Sequence, residues 1–177
     1  MVGLEERLKS AIRDVVDFPK KGIIFKDITT LLADPALNRE VLEAFVKQAK
    51  ELKSDLIAGI DSRGFLYGNG IAMNCNVPFS PIRKKGKLPY KCIQESYDLE
   101  YGSATLEMHA DAVLKDQRVI IHDDLLATGG TALAAAKLVE RLGGVVVGFS
   151  FIIHLSFLNG HEELLKKSEN LFAIATY

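Results

Sequence analysis

The sequence is poor in the residues that mark several classes of protein. It has no tryptophan and only two cysteines, Cys75 and Cys92. Two thiols are too few for a disulfide scaffold, and their separation does not match the ligand spacing of a zinc site. We therefore expect both cysteines to be reduced, as in a cytoplasmic protein.

The chain also lacks an excess of charge of either sign. Its 22 Lys and Arg residues nearly balance its 23 Asp and Glu residues, which gives a formal net charge of -1. A dedicated nucleic-acid-binding domain usually carries a clear basic excess. Nucleic acid is therefore not an expected partner.

Long apolar segments are absent as well. The longest apolar run, residues 145–153, is far shorter than the roughly 18 residues that a membrane span needs. The N-terminus is charged and periodic, without the apolar stretch of a secretion signal. We expect no membrane partner.

What the sequence does contain fits one domain that covers residues 1–177. Hydrophobic residues make up 48% and charged residues 25%, which is ordinary for a globular domain. A chain of this size buries about 70% of its unfolded surface, so its core needs no disulfide or metal.

The N-terminal part, residues 1–33, is expected to form a helix and a small hood. The helix has one apolar face, made of Leu4, Leu8, Ala11, Ile12 and Val15. Residues 17–30 contain Pro19 and Gly22 and predict a structured loop. A longer helix should follow, with Asp34 as its cap and Pro35 at its first position.

Two strand–helix–strand units then predict the fold class. The first has strands at 56–60 and 77–82, around a helix that ends near residue 74. The second has strands at 118–122 and 145–153, around a helix at 131–142. Because these strands are rich in Val and Ile without polar alternation, they indicate a parallel sheet covered on both faces. We expect a Rossmann-like α/β fold with a mostly parallel central sheet of about five strands between helices.

The segment between the two units, residues 83–107, predicts a flexible loop and a hairpin. The loop is basic and interrupted by glycine from Arg83 to Lys87, and residues 97–108 alternate in part, as hairpin strands do. The final residues, 161–177, predict a short helix and a last strand.

The strongest functional signal is the stretch VIIHDDLLATGGT at residues 119–131, where a buried strand leads through a small, glycine-rich turn into a helix. Small turn residues let backbone N–H groups approach an anion closely. The helix start adds unpaired N–H donors and about half a positive charge, and Thr128 and Thr131 add hydroxyls. Together these features predict a phosphate-binding loop.

Two carboxylates, Asp123 and Asp124, stand immediately before that loop. They would repel a phosphate, but they suit the hydroxyls of a sugar, bound directly or through a hydrated divalent cation. Ribose 5-phosphate carries both groups at a matching separation. The sequence has neither the GxxxxGK[ST] motif of a P-loop nor the GxGxxG motif of a dinucleotide site.

HDDLLATGGT resembles the phosphoribosyl pyrophosphate (PRPP) signature of type I phosphoribosyltransferases, in the form that adenine-specific members carry. Four further segments resemble the same family in its order, so the resemblance covers nearly the whole chain: FPKKGIIFKDIT (18–29), GIDSRGFLYG (59–68), RKKGKLP (83–89) and YDLEYG (97–102). The resemblance implies transfer of ribose phosphate from PRPP to adenine, giving AMP and pyrophosphate, with Mg²⁺ and in a homodimer.

The resemblance also implies roles for particular residues. Asp123 and Asp124 would bind the ribose hydroxyls. Asp61, Ser62 and Arg63 would form the pyrophosphate loop, which Arg83 and Lys87 of the basic loop would approach. The 5-phosphate would be bound by five consecutive residues: Ala127, Thr128, Gly129, Gly130 and Thr131.

For the base, the resemblance implies that adenine stacks on Phe25 and that backbone groups of Ile24 and Lys26 read its edge. Glu100 would be the acid/base residue that relays the purine proton, and Arg63 would stabilise the leaving pyrophosphate. His122 departs from the family pattern, because an apolar or acidic residue is usual there. It should either pack in the strand end or perturb the two aspartates. Lys26 and His154 also depart from the pattern.

Two other functions are compatible with the same motifs. One is a phosphoribosyltransferase for another purine base, hypoxanthine or guanine. The other is a PRPP-binding regulator without catalysis, which Glu100 and the lack of an added DNA-binding segment disfavour.

Overall fold

The computed structural model describes residues 2–98 and 103–177. The helices are α1 (Leu4–Ala11), α2 (Thr29–Leu32), α3 (Pro35–Glu51), α4 (Gly64–Cys75), α5 (Gly130–Arg141) and α6 (Gly160–Leu165). The strands are β1 (Arg13–Val16), β2 (Ile24–Asp27), β3 (Leu56–Ile60), β4 (Phe79–Lys84), β5 (Cys92–Asp98), β6 (Ser103–His109), β7 (Arg118–Leu126), β8 (Val145–His154) and β9 (Leu171–Thr176).

The main sheet has seven strands in the order β5-β6-β4-β3-β7-β8-β9. The five strands from β4 to β9 in this order pair in parallel, as predicted. The expected total of about five was too low, because β6 pairs antiparallel with β4 and β5 with β6. The hairpin thus extends the sheet, and it starts at Cys92, earlier than the predicted residue 97.

Two apolar clusters cover the two faces of this sheet. One cluster joins the sheet to α5 and α6, through side chains such as Ala135, Val139 and Leu164. The other joins it to α1, α3 and α4, through side chains such as Leu8, Phe45 and Ile71. The α/β class and its helices on both faces are therefore confirmed.

The N-terminal segment differs from the prediction in two places. Helix α1 ends at Ala11, and Val15 lies in β1, where it pairs with Phe25. Residues 24–27, expected in a loop, form β2, which pairs antiparallel with β1 in a separate two-stranded sheet. Several apolar side chains of this small sheet, such as Val16 and Ile24, are exposed. The apolar pattern of the sequence therefore does not mark a buried face there, and it did not distinguish a strand from a helix or a loop.

The start of α3 follows the prediction closely. The carboxylate of Asp34 accepts hydrogen bonds from the backbone N–H groups of Ala36 and Leu37, at 3.0 and 3.1 Å. Pro35 occupies the first turn, where its missing N–H costs no hydrogen bond. Both signals are local, which is why the sequence was sufficient to find them.

Candidate active site

The candidate site lies where the direction of chain winding reverses in the sheet. Strands β3 and β7 are parallel neighbours, but α4 and α5, which follow them, pack on opposite faces. In open α/β sheets, ligands bind at such a switch point, beyond the carboxyl ends of the strands. The two segments that follow β3 and β7 hold most of the predicted site residues.

The loop at residues 127–131 has the geometry expected of a phosphate-binding loop. Gly129 caps α5 in the left-handed region at φ 81°, and the 12-residue helix begins at Gly130. The hydroxyl of Thr131 donates to the hydroxyl of Tyr97 at 3.2 Å, which ties the loop to the hairpin. Because the first N–H groups of a helix have no partner within the helix, the first turn of α5 has free N–H groups at the cavity in front of it.

The loop is supported from behind by Gly160 at the start of α6. A Cβ atom on Gly160 would lie 2.2 Å from the carbonyl oxygen of Ala127 and 2.7 Å from the nitrogen of Gly129. Only glycine fits this close contact between two backbones. The sequence reasoning missed Gly160, because the contact joins segments far apart in the chain.

Asp123 and Asp124 belong to the end of β7, which extends four residues beyond the predicted strand. The extension has a partner, because Asp123 pairs with Phe151 and Leu126 with His154 of β8. Asp124 is buried, and its backbone N–H donates to the Asp123 carboxylate at 2.9 Å. The pair is thus fixed by sheet pairing and not by a loop.

Burial raises the pKa of Asp123 well above its ordinary value, and the negative charge of Asp124 raises it further. Burial also raises the pKa of Asp124, although the nearby Arg63 guanidinium opposes this change. Two enclosed carboxylates side by side are costly to ionise together. Sugar hydroxyls or a hydrated cation would relieve that cost.

Arg63 stands between the two aspartates and the N-terminal sheet. Its Nε atom forms an ion pair with Asp124 Oδ2 at 2.8 Å. Its guanidinium carbon lies 5.0 Å from the centre of the Phe25 ring. Hydrogen bonds from Thr29 are the main cause of the lowered pKa of Asp27; burial opposes them, and the charges of Arg13 and Arg63 lower the pKa further.

The segment after β3 contains a cis peptide bond between Asp61 and Ser62. Asp61 is paired with Arg83, whose Nε lies 3.1 Å from Asp61 Oδ2. Arg83 also donates to the carbonyl oxygen of Lys87 at 3.2 Å. Arg83 and Asp61 thus join the end of β3 to the end of β4.

The basic segment is placed differently from the prediction. Arg83 and Lys84 belong to β4, so the loop begins after them. Lys84 and Lys87 are both exposed. Lys84, which the sequence reasoning did not single out, lines a cavity next to Asp61 and Ser62. The buried Glu107 carboxylate accepts the backbone N–H groups of Lys87 and Leu88 at 2.8 and 2.7 Å. The loop therefore folds back over β6.

Two cavities meet at the aspartate pair. One, of about 260 Å³, is lined by residues that include Asp61, Ser62 and Lys84. The other, of about 220 Å³, is lined by the loop at residues 127–131. Both share Arg63, Asp123, Asp124 and Thr131. The arrangement can hold a molecule with anionic groups at both ends and hydroxyls between them.

The predicted base-binding residues lie together in β2. Phe25 is half-buried, packs edge-on against Phe18 at 5.2 Å and turns a face toward Arg63. Ile24 is 54% exposed. The Lys26 ammonium lies 3.8 Å from the centre of the Tyr177 ring and 2.7 Å from Asp14, so its side chain is engaged away from Phe25.

Three further residues were singled out from the sequence: His122, His154 and Glu100. His122 is fully buried, its Nδ1 lies 2.9 Å from the Ser150 hydroxyl, and burial lowers its pKa to about 3. It packs against Phe45 in the core, which decides between the two alternatives given for it. His154 packs edge-on against His161, with ring centres 5.2 Å apart. Glu100 lies outside the described residues.

Two kinds of feature are absent from the described ranges, 2–98 and 103–177. No helix there is long and apolar enough to cross a membrane. No group of three or more His, Cys, Asp or Glu side chains in these ranges is arranged to hold a metal ion.

Comparison with known proteins agrees with this geometry. The phosphoribosyl transferase domain family matches residues 27–173. Adenine phosphoribosyltransferase of Cytophaga hutchinsonii is 50% identical over 174 residues, which cover 98% of this chain and 96% of that protein.

Two solved structures are similar over almost their whole length. The crystal structure of adenine phosphoribosyltransferase from Thermoanaerobacter pseudethanolicus has a TM-score of 0.94 at 47% identity and covers 99% of this chain and 100% of that chain. The enzyme from Saccharomyces cerevisiae, crystallised with an imino-altritol bisphosphate and adenine, has a TM-score of 0.91 at 37% identity and covers 97% and 98%.

A sheet switch point with a glycine-rich loop at the start of α5, two adjoining carboxylates and this similarity define one class. The chain belongs to the phosphoribosyltransferase family and has its type I fold. Within that family, it groups with the adenine phosphoribosyltransferases.

Proposed function

We propose that the protein transfers the ribose phosphate of PRPP to adenine, giving AMP and pyrophosphate in purine salvage. It is a pentosyltransferase by family. The observation that carries the proposal is the shared wall of the two cavities. Arg63, Asp123, Asp124 and Thr131 line both, so a phosphorylated sugar can span them.

The ribose phosphate of PRPP occupies the cavity in front of α5. The backbone N–H groups and hydroxyls of residues 127–131 bind the 5-phosphate, and the helix start favours its charge. Asp123 and Asp124 accept hydrogen bonds from the ribose hydroxyls. Burial is the main cause of the raised pKa of both groups, and this supports the role, because hydroxyl donors would offset the cost of ionising them.

The pyrophosphate group of PRPP occupies the neighbouring cavity. Asp61 and Ser62 supply polar groups at the end of β3, and Arg63 and Lys84 supply positive charge. Arg83 orients Asp61 through their ion pair, and Lys87 approaches from the loop. Positive charge at this end stabilises pyrophosphate as its bond to the ribose breaks.

Mg²⁺ is the expected cofactor, and the donor set fits it. The described residues contain no metal site made of protein groups alone, so the cation would be held mainly by PRPP, with Asp123 and Asp124 accepting hydrogen bonds from its water molecules. When bound, the cation neutralises pyrophosphate charge.

Adenine stacks on Phe25, with backbone groups of Ile24 and Lys26 at its edge. The exposure of Ile24 and the engagement of the Lys26 side chain with Tyr177 and Asp14 favour backbone over side-chain reading at these positions. Residues 1–33 thereby act as a small hood in one domain of residues 1–177. Glu100 relays the purine proton, a role that rests on the resemblance of YDLEYG alone.

Phe25→Ala is expected to raise the KM for adenine about 5- to 150-fold, because stacking of a base on an aromatic ring contributes about 1–3 kcal/mol. Steady-state kinetics with adenine varied at saturating PRPP measure this. Phe157→Ala is the matched control, because Phe157 is 71% exposed and lies outside the proposed adenine site. An unchanged KM for adenine in Phe25→Ala would exclude the stacking role.

A homodimer and a cytoplasmic location complete the proposal. The homodimer rests on the resemblance, and the location rests on two cysteines that are both free thiols. Sedimentation of the purified chain measures the first.

The substrate is tested by measuring AMP, IMP and GMP formation side by side with adenine, hypoxanthine and guanine, each with PRPP and Mg²⁺. We expect AMP at a kcat/KM at least about 10²-fold above the others, since wrong edge groups leave backbone donors and acceptors unpaired. Turnover of hypoxanthine without adenine would indicate a different purine substrate. PRPP binding without turnover of any base would indicate a regulator.

A further inference from the structure

The Arg63 side chain contacts residues at both ends of the candidate site. The Arg63 guanidinium is 2.8 Å from the Asp124 carboxylate at the sugar end and 5.0 Å from the centre of the Phe25 ring at the base end. The Arg63 charge is also one of the smaller causes of the lowered pKa of Asp27 in β2.

This position conflicts with substrate binding at the base end. A guanidinium over the ring occupies the flat face on which a purine would stack, and such a cation–π contact has to be broken first. Phe18 also packs against Phe25 in a T-shaped arrangement, with ring centres 5.2 Å apart. A purine that stacks on the face of Phe25 next to Arg63 therefore competes with the guanidinium.

The cavity next to Arg63 offers the guanidinium a stronger partner. Arg63 lines the same 260 Å³ cavity as Ser62 and Lys84, where pyrophosphate is proposed to bind. Guanidinium groups bind phosphate oxygens in bidentate fashion, through hydrogen bonds that are stronger than those between neutral groups. The Arg63 side chain is 39% exposed, so it has room to turn from the Phe25 ring to the diphosphate.

We propose that Arg63 couples the two substrate sites: it covers Phe25 when the pyrophosphate site is empty, and a bound diphosphate draws it away and uncovers the ring for the purine. This inference rests on the proposed function. Arg63 thus sets the affinity for adenine through its position, apart from any stabilisation of the leaving group.

Coupling of this kind is reciprocal. If pyrophosphate raises the affinity for adenine by some factor, adenine raises the affinity for pyrophosphate by the same factor. A cation–π contact of this type corresponds to about two- to thirtyfold in affinity, or about 0.5–2 kcal/mol.

The test is isothermal titration of adenine into the full chain, with and without saturating Mg²⁺ and inorganic pyrophosphate, a combination that cannot react. For the unaltered chain, we expect pyrophosphate to tighten adenine binding by about two- to thirtyfold. For Arg63→Gln, adenine alone should bind about as tightly as it does to the unaltered chain with pyrophosphate, and pyrophosphate should add nothing.

Arg141→Gln is the matched control, because it removes an arginine in the last turn of α5 that pairs with Glu95, outside both proposed substrate sites. It should leave the affinity for adenine alone unchanged. Absence of coupling in the unaltered chain would overturn the inference even if Arg63→Gln did not fold. Equal or weaker adenine binding by a folded Arg63→Gln, or coupling that persists in it, would overturn it too.

These outcomes are separable from failure of the proposed function. If the unaltered chain forms AMP from adenine and PRPP but shows no coupling, only the role of Arg63 is lost. If it forms no AMP, the function itself is wrong.

Discussion

Replacing both Asp123 and Asp124 by asparagine is expected to weaken PRPP binding by on the order of 10²- to 10⁴-fold. A hydrogen bond to a charged group contributes about 1.5–3 kcal/mol, and two carboxylates are changed. Titration calorimetry with PRPP and Mg²⁺ measures the loss. Asp111→Asn is the control, because Asp111 is exposed beyond the end of β6, away from the switch point. Unchanged PRPP affinity in the double variant would exclude the proposed binding of the ribose hydroxyls by Asp123 and Asp124.

The same site should limit the stability of the free protein. The pKa of Asp123 is raised in the folded chain, so the folded state retains the proton over a pH range in which the unfolded state releases it. Stability of the unaltered chain therefore falls as pH rises from the ordinary value of 3.8 through the raised pKa, and stays reduced above it.

Asp123→Asn alone removes this penalty and keeps the Asp124–Arg63 ion pair. Its Tm should exceed that of the unaltered chain at neutral pH, by about 2–4 °C for each 1 kcal/mol relieved. The difference should vanish below the ordinary pKa. Thermal melts from acid to neutral pH check this, and a Tm at neutral pH that is lower than that of the unaltered chain would contradict it. A higher Tm without the Asp123 carboxylate would indicate that this carboxylate serves binding at the expense of stability.

Gly160→Ala is the second change with a large expected effect. The new methyl group would lie 2.2 Å from the carbonyl oxygen of Ala127 and 2.6 Å from the carbonyl carbon of Thr128. Neither is a side chain that can turn away, so the loop at residues 127–131, where the 5-phosphate is proposed to bind, must shift. A displacement of about 1 Å at a substrate site can cost on the order of 10²-fold in rate. We expect a loss of this size in kcat/KM for PRPP.

The control is Gly70→Ala in α4, where the added methyl group would meet only the flexible Leu42 side chain at 3.2 Å. It should leave kcat/KM for PRPP nearly unchanged. If Gly160→Ala kept full activity, the backbone contact between α6 and the loop would have no role in binding phosphate.

The parts of the site that could be predicted are those built from consecutive residues. One continuous segment contains Asp123, Asp124 and the turn and helix start at 127–131. Its residue types alone were enough to predict its chemistry. The cap of α3 at Asp34 is local in the same way. Such features depend on the chain within one turn of themselves.

What the sequence did not predict depends on partners that are distant in the chain. The extension of β7 through Asp123 requires Phe151 of β8, because two adjacent carboxylates alone are typical of a loop. The burial of His122 depends on Ser150, which meets its ring nitrogen at 2.9 Å. The contact between Arg63 and Phe25 joins two segments that the sequence placed in different substrate sites.

A crystal structure with bound AMP tests the central claim most directly. We expect the 5-phosphate on the backbone N–H groups of residues 128–131, the ribose hydroxyls within hydrogen-bonding distance of Asp123 and Asp124, and the adenine ring on the face of Phe25 that Arg63 now covers. A phosphate bound away from the start of α5, or a ribose that does not contact the two aspartates, would contradict it.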